Sequence, residues 1–176
     1  MESLSTFWLS FILFILIIAS AFFSASETSM MALNRYRLKA LSAKNNVQAK
    51  RVEKLLNKID YLIGGILLGN NFVNILAASI ATLLSLKLFG EGSIIIASLV
   101  LTLVILIFAE NTPKTFAAKN PEKIALPASW ILEILIKIFK PLIYLISIIS
   151  KFILRLLGLK NVSKDILNSE ELRMAV

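Results

Sequence analysis

The sequence contains no cysteine and no histidine, and it is poor in charge. Without cysteine there is no disulfide, no thiol nucleophile and no thiolate metal ligand. Without histidine, the commonest general base and the imidazole ligand of zinc and iron are also missing. Only 17% of the residues are charged while 57% are hydrophobic, and the mean hydropathy is +0.81. These values predict a membrane protein and argue against most enzyme chemistries.

The charge that is present is mostly positive. The formal net charge is +8. A basic soluble domain would suggest nucleic acid as a partner, but in an apolar chain the anionic surface of a lipid bilayer is the better partner. We therefore expect contact with lipid and no nucleic-acid binding.

Uncharged runs occupy residues 3–26, 61–86 and 92–109. A helix needs about 20 apolar residues to cross the hydrocarbon core, with a range of about 17–25. The sequence thus predicts an all-α membrane protein with three transmembrane helices, at about 5–28, 61–86 and 92–111. The first run does not resemble a signal peptide, because Glu2 stands where a basic region belongs and the apolar stretch is too long.

The distribution of lysine and arginine predicts the orientation. From Arg35 to Lys58 there are eight basic residues against one acid, Glu53, whereas the next connection carries only Lys87 and Glu91. Because positive charge marks the cytoplasmic side, we expect the N-terminus outside and the C-terminus in the cytoplasm.

Two juxtamembrane elements are predicted on the cytoplasmic side. The basic connection 34–59 is expected to form a helical hairpin that turns at Asn45 and Asn46, because Val52, Leu55 and Leu56 recur at helical spacing. Residues 121–158 are expected to form a kinked amphipathic belt, bent at Pro141 and lying in the membrane interface. Its polar residues form one stripe: Glu133, Lys137, Lys140, Tyr144, Ser147, Lys151 and Arg155. The alternative is a fourth, tilted span whose charges face protein.

Hydroxyl and acidic groups gather near the end of the first run. Ser20 and Ser24 are one helical turn apart, and Glu27 follows Ser24 by three residues, so these share a face. Ser26 and Ser29 form a neighbouring pair. Serines can also simply allow close helix packing, and Glu27 can be an interfacial charge.

The other two runs carry amides, an acid and a proline. Asn70, Asn71 and Asn74 follow a GxxxG pair, and lipid cannot satisfy their amide groups. Interhelical hydrogen bonds are the simpler explanation for each of them. In the third run Pro113 follows Glu110, and a helix that continues through this proline frees backbone carbonyls near 109–110. Alternatively, Pro113 ends the span and Glu110 is solvated.

Together these groups are hard oxygen donors drawn from three different spans. Hydroxyls, amide carbonyls, a carboxylate and freed backbone oxygens suit Mg²⁺, Ca²⁺ or Na⁺ and do not suit zinc or copper. The sequence therefore predicts a cation site between the spans.

The motifs at these positions resemble the membrane domain of the CorC/CNNM magnesium transporter family. They are "SASETS" after the first span, "LLGNNFVN" in the second and "AENTPK" after the third, and the likeness covers nearly the whole chain. Family members usually have glycine where this chain has Ala109. By motif match, the implied metal ligands are Ser24, Ser26, Asn70, Asn71, Asn74 and Glu110.

The resemblance implies a homodimer in the cell membrane that exports Mg²⁺, coupled to inward Na⁺. It also implies that residues 1–160 form the transmembrane domain and that 161–176 begin a linker to a cytosolic CBS-pair module not contained in this chain. The alternative function is a membrane anchor and dimerisation module for a cytosolic regulatory domain. An intramembrane enzyme is disfavoured, because no histidine is available and no lysine lies in the first run for a serine–lysine pair.

Overall fold

Helices account for almost all of the part of the chain that the structure describes. The computed structural model describes residues 5–156, except for the side chains at 147, 151, 154 and 155. In chain order the elements are α1 (Thr6–Ala32), α2 (Arg35–Ala43), α3 (Val47–Leu56), α4 (Ile59–Phe89), a 3-10 turn (Glu91–Ser93), α5 (Ile94–Val104), a π-helix (Ile105–Asn111), α6 (Thr112–Lys119) and α7 (Pro121–Leu156). The all-α class that the sequence predicts is confirmed.

Within residues 5–156, three segments are long and apolar enough to cross a membrane. They are α1, α4 and the continuous stretch Glu91–Lys119, which includes α5, the π-helix and α6. Their outward-facing surfaces carry large exposed apolar side chains such as Ile15, Ile95 and Phe108, as expected of lipid-facing helices. The number of spans predicted from the sequence is therefore confirmed by length and composition.

The first two spans pack along a stripe of small and apolar residues on α4. The buried positions of α4 recur at helical spacing: Leu62, Gly65, Ile66, Gly69, Asn70, Val73 and Ala77. Gly69 permits an unusually close approach, because a Cβ atom there would lie 2.5 Å from ring atoms of Phe23 on α1. This seam places the polar residues of α1 beside those of α4.

Asparagine caps shape the short helices between the first two spans. The Asn34 side chain accepts hydrogen bonds from the backbone N–H groups of Tyr36 and Arg37 at the start of α2. Asn46 accepts one from Ala49 at the start of α3, and Asn45 adopts a left-handed conformation in the turn, with φ of 60°. Helices α2 and α3 thus form a hairpin within the segment 34–59 that the sequence assigns to one.

Ion pairs connect this hairpin to the first part of α7. Arg37 Nε lies 2.8 Å from Glu122 Oε1, and Arg51 Nε lies 3.1 Å from Glu133 Oε2. Lys54 Nζ donates a 3.0 Å hydrogen bond to Glu133 Oε1. The apolar sides of the hairpin, α7, α1 and α4 meet in one core that includes Met30, Leu56 and Leu132. The core of this unit therefore lies at the hairpin end of the spans.

The first compact unit ends at Phe139, and a second one begins at Lys140. Of the second unit the structure describes residues 140–156, which complete α7 and expose apolar side chains such as Leu145, Ile149 and Phe152. The helix continues through Pro141, and the bend predicted there stays a prediction. The proposed linker 161–176 and the last residues of the belt lie outside the described residues.

Candidate functional site between the spans

A hydrogen bond joins the polar residues of α1 and α4 inside the helix seam. Ser20 Oγ donates to Asn70 Oδ1 over 3.1 Å, and both side chains are buried. The Phe23–Gly69 contact lies beside it. These two contacts set the level at which residues 20–24 of α1 face residues 69–74 of α4.

Buried oxygen atoms without partners lie around this hydrogen bond. Ser24 Oγ, Ser26 Oγ and Asn74 Oδ1 are each shielded from solvent and accept or donate no hydrogen bond among the described residues. Leaving a buried polar group unpaired costs about 1–3 kcal/mol. Native proteins leave few such groups, and an ion is one recognised reason for an exception. A cation or a water molecule in this region would give these atoms a partner.

Helix geometry sorts these residues into those that share a face and those that do not. Ser20 and Ser24 are one turn apart on α1, and Asn70 and Asn74 are one turn apart on α4. Because α1 and α4 run antiparallel, Ser24 lies one turn to the hairpin side of the Ser20–Asn70 contact and Asn74 lies one turn to its other side. Serine and asparagine oxygens of the two facing helices therefore meet directly at Ser20 and Asn70.

Ser26 and Asn71 belong to other surfaces. Ser26 lies about 200° around α1 from Ser24, and its backbone carbonyl accepts a 3.0 Å hydrogen bond from Ser29 Oγ. Asn71 is exposed, whereas Asn70 is 9% exposed. The structure thus brings Ser24, Asn70 and Asn74 to one seam, together with Ser20, and places Ser26 and Asn71 on different faces of their helices.

The π-helix of the third span also packs against α1. Its last backbone bond runs from the Thr112 N–H to the carbonyl of Ile107. The next bond in that register would run from residue 113 to Phe108, but Pro113 has no N–H group. The carbonyl of Phe108 therefore loses its helical donor. The sequence predicts that Pro113 frees backbone carbonyls. The structure adds a widened turn before the proline. This turn removes the clash between the proline ring and the carbonyl of Ala109.

Ala109 and Glu110 lie within this widened turn. Ala109 is fully buried and Glu110 is half-buried. The small Ala109 side chain fits this packed position. π-Turns within α-helices occur often at functional sites.

A single loose ion pair lies on the hairpin side of these residues. Glu27 follows Ser24 by one turn, and its Oε2 lies 3.9 Å from Lys114 Nζ on α6. Within residues 5–156 there is no group of three or more acidic side chains close enough to hold a metal ion. A cation bound in the seam would thus be held mainly by neutral oxygens.

Ser20 was not among the ligands implied by the family motif. Its signal in the sequence was the one-turn spacing to Ser24 on a common face. That spacing alone does not show which face meets α4, and the hydrogen bond to Asn70 supplies this information.

The spans, the helical hairpin and the buried oxygens at the seam define a multi-pass helical membrane domain. Residues 11–176 match the Cyclin M transmembrane N-terminal domain family, CNNM. The chain belongs to this family, the one that its motifs resemble.

Curated relatives of the chain carry several different names. The chain is 48% identical to the UPF0053 inner membrane protein YfjD of Escherichia coli (strain K12), over 89% of this chain and 37% of that protein. It is 45% identical to a UPF0053 protein of Haemophilus influenzae, over 100% of this chain and 42% of the relative. It is also 30% identical to the polyamine export protein of Salmonella typhimurium, over 94% of this chain and 40% of that protein. The chain spans about two fifths of the length of these relatives.

Proposed function

We propose that the chain is the membrane domain of a Mg²⁺ transporter and binds the ion between α1, α4 and the π-helix. The candidate ligands are the oxygens of Ser20 and Asn70, those of Ser24 and Asn74 one turn to either side of them, and backbone carbonyls near 108–110. Glu110 lies within the π-helix. Its carboxylate either supplies negative charge to the ion or stabilises the widened turn. The cation is the transported substrate and not a resident cofactor.

The unpaired buried oxygens of Ser24 and Asn74 carry this proposal. A cation placed at the seam gives each of them the partner that the protein does not provide. Mg²⁺ takes six oxygens at about 2.0–2.1 Å and loses water reluctantly, so a site that strips its water must supply many oxygens within a small space. The two helix faces offer such oxygens at Ser20 and Asn70 and one turn to either side, and carbonyls freed by Pro113 would add to them.

The wider features of the transporter are also part of the proposal. They are export of Mg²⁺ coupled to inward Na⁺, a homodimer in the cell membrane, an N-terminus outside and a C-terminus in the cytoplasm, and a CBS-pair module in the whole protein. Membership of the CNNM family and the basic hairpin between the first two spans support them. The absence of cysteine and histidine from the chain supports a transporter and not an enzyme.

Polyamine export is the second candidate function, since relatives at 29% and 30% identity carry that name. The Glu27–Lys114 pair favours polyamine export, because it places an alkylammonium group near a carboxylate. A polyamine carries several ammonium groups, however, and the described residues offer no cluster of acids to receive them. The compact neutral oxygens of the seam fit a small dehydrated cation better.

Ion-dependent thermal stability of the purified chain tests these candidates. Mg²⁺ at about 100 times its dissociation constant should stabilise the protein by about 2.7 kcal/mol, whereas Na⁺ and spermidine should give smaller effects. Asn74→Ala should abolish the Mg²⁺ response, and Asn71→Ala, one helix face away and exposed, is the matched control. A response to spermidine alone would support polyamine export, and no response to any cation would favour the anchor.

Ser24→Ala gives a second, independent test of the ion site. Removing a buried hydroxyl that has no partner should leave the ion-free protein as stable as the wild type, or more stable. The same change should remove much of the Mg²⁺ response. Glu110→Gln should weaken that response too, and Glu110→Asp should restore little of it, because the shorter side chain moves the carboxylate by one methylene.

A further inference from the structure

The Glu27–Lys114 pair connects α1 to α6, on the hairpin side of Ser24. Glu27 shares the face of Ser20 and Ser24 and lies about 4.5 Å beyond Ser24 along α1, toward the hairpin. Lys114 follows Pro113 directly, at the start of α6. An ion that moves between the hairpin side and the seam along this face of α1 therefore passes Glu27.

This pair is poorly suited to a purely structural role. Its Nζ–Oε2 separation is 3.9 Å, which is too long for a hydrogen bond, and the side chains are 27% and 42% exposed. Ion pairs of that kind contribute about 0–1 kcal/mol. By contrast, the Arg37–Glu122 pair between α2 and α7 is closed to 2.8 Å. The Glu27 carboxylate thus retains capacity for another cation.

We propose that Glu27 is a transient cation-binding carboxylate at the hairpin-side mouth of the seam, and that the Lys114 ammonium occupies it until a divalent cation displaces it. The proposal rests on the Mg²⁺ function proposed above. A carboxylate oxygen is a hard ligand that favours Mg²⁺. A divalent ion at equal distance also has about twice the Coulomb attraction of an ammonium to the same oxygen, and this attraction favours exchange against the cost of partly dehydrating Mg²⁺.

Association kinetics of Mg²⁺ with four forms of the full chain test the proposal. These are the wild type, Glu27→Gln, Lys114→Gln and the double variant, reconstituted in neutral-lipid nanodiscs and mixed with Mg²⁺ by stopped flow. Glu27→Gln should slow association by about tenfold, the lower end of electrostatic steering effects. Lys114→Gln should accelerate it, because the competing ammonium is gone. In the Glu27→Gln background Lys114→Gln should change nothing, since Lys114 acts only through Glu27.

The control is the Arg37–Glu122 ion pair. Arg37→Gln and Glu122→Gln should leave association rates unchanged. If Glu27→Gln and Lys114→Gln shift the rate in the same direction, the pair is structural and the proposal is overturned. It is also overturned if Lys114→Gln keeps its effect without Glu27, because the ammonium then acts directly on the seam. If the wild type shows no Mg²⁺ response, both proposals are overturned. If the wild type responds and the Glu27 variants associate with Mg²⁺ at the wild-type rate, only this proposal is overturned.

Discussion

At the scale of single residues, Gly69 determines how closely α1 and α4 approach beside the candidate site. Two ring atoms of Phe23 lie 2.5 Å from the position that a Cβ atom would take at residue 69. Phe23 is only 6% exposed, so its ring has little room to move away. The adjacent Ser20–Asn70 hydrogen bond depends on the same spacing.

Gly69→Ala should therefore destabilise the protein by about 1–3 kcal/mol, as overpacked core positions do, and should weaken the Mg²⁺ response by separating the two helices. Thermal melts with and without Mg²⁺ measure both effects. Gly92→Ala is the control, because no atom lies within 4 Å of its added Cβ. Phe23→Leu combined with Gly69→Ala should restore part of the loss, and a fully stable, Mg²⁺-responsive Gly69→Ala protein would refute the role of this contact.

The sequence predicts which residue types form the site but not which faces of the helices meet. Serines at positions 20, 24, 26 and 29 all lie near the end of one apolar run, and their spacing places them on several faces of α1. Only contacts with α4 distinguish Ser20 from Ser26. Asn70 and Asn71 differ in the same way, since neighbouring residues on a helix point about 100° apart. Such choices depend on tertiary packing and do not follow from a single sequence.

At the scale of elements, the π-helix is the feature that sequence reasoning described least well. The sequence predicts that Pro113 disturbs the third span, and this much follows from the missing N–H group. A proline can be accommodated by a kink, a break or a widened turn, and the neighbouring helices decide among these. In the structure the turn is widened over Ile105–Asn111 and the helix continues into α6.

Pro113→Ala tests whether this widened turn serves the ion. Alanine restores the N–H group and allows the usual bond to residue 109, so the α-helical register becomes available. The ion-free protein should become more stable, by up to about 3 kcal/mol, while its Mg²⁺ response should fall because the freed carbonyl is again paired. Pro127→Ala, in α7 and outside the three spans, is the control. Retention of the full Mg²⁺ response by Pro113→Ala would show that the carbonyls are not ligands.

The attachment of the hairpin to α7 depends on Glu133. The pKa of Glu133 lies below its ordinary value of 4.5, mainly because the Lys54 ammonium donates a hydrogen bond to it. The positive charges of Lys54, Lys137 and Arg51 lower this pKa further, whereas partial burial raises it. The carboxylate is therefore bound more tightly to its partners than the neutral acid is.

A lowered folded-state pKa gives a stability contribution that is present above the unfolded-state pKa and is lost as the pH falls through the folded-state value. We expect Glu133→Gln to lower the melting temperature near neutral pH and to converge with the wild type as the pH drops below about 4.5. Melts across this range measure the difference between the two proteins. Glu91→Gln, at a position without an ion pair among the described residues, is the control, and a Glu133→Gln difference that stays constant with pH would contradict the assignment.

At the scale of the whole molecule, length and hydropathy are sufficient to predict the number of spans, because a helix must be about 20 apolar residues long to cross the bilayer. The same argument does not give the ends of the helices. The second span was expected at 61–86, but α4 runs from Ile59 to Phe89, since charged residues such as Asp60 and Lys87 extend a helix into the interface without interrupting it. Hydropathy detects the apolar part of a helix and not its full length.

Orientation in the membrane is the prediction that involves the whole chain, and the absence of cysteine makes it directly testable. A single introduced cysteine shows on which side of the membrane its position lies. Suitable positions are Ser5, Gly92 in the 3-10 turn and Lys44 in the hairpin. Lys44 is preferable to Asn45, whose left-handed backbone a cysteine would strain. Because the basic residues of 35–58 favour the cytoplasm, an impermeant thiol reagent added to intact cells should label the first two positions and spare the third. Permeabilised cells, in which all three should react, provide the control. Labelling of Lys44→Cys in intact cells together with protection of the other two would invert the orientation, and labelling of all three would rule out three complete spans.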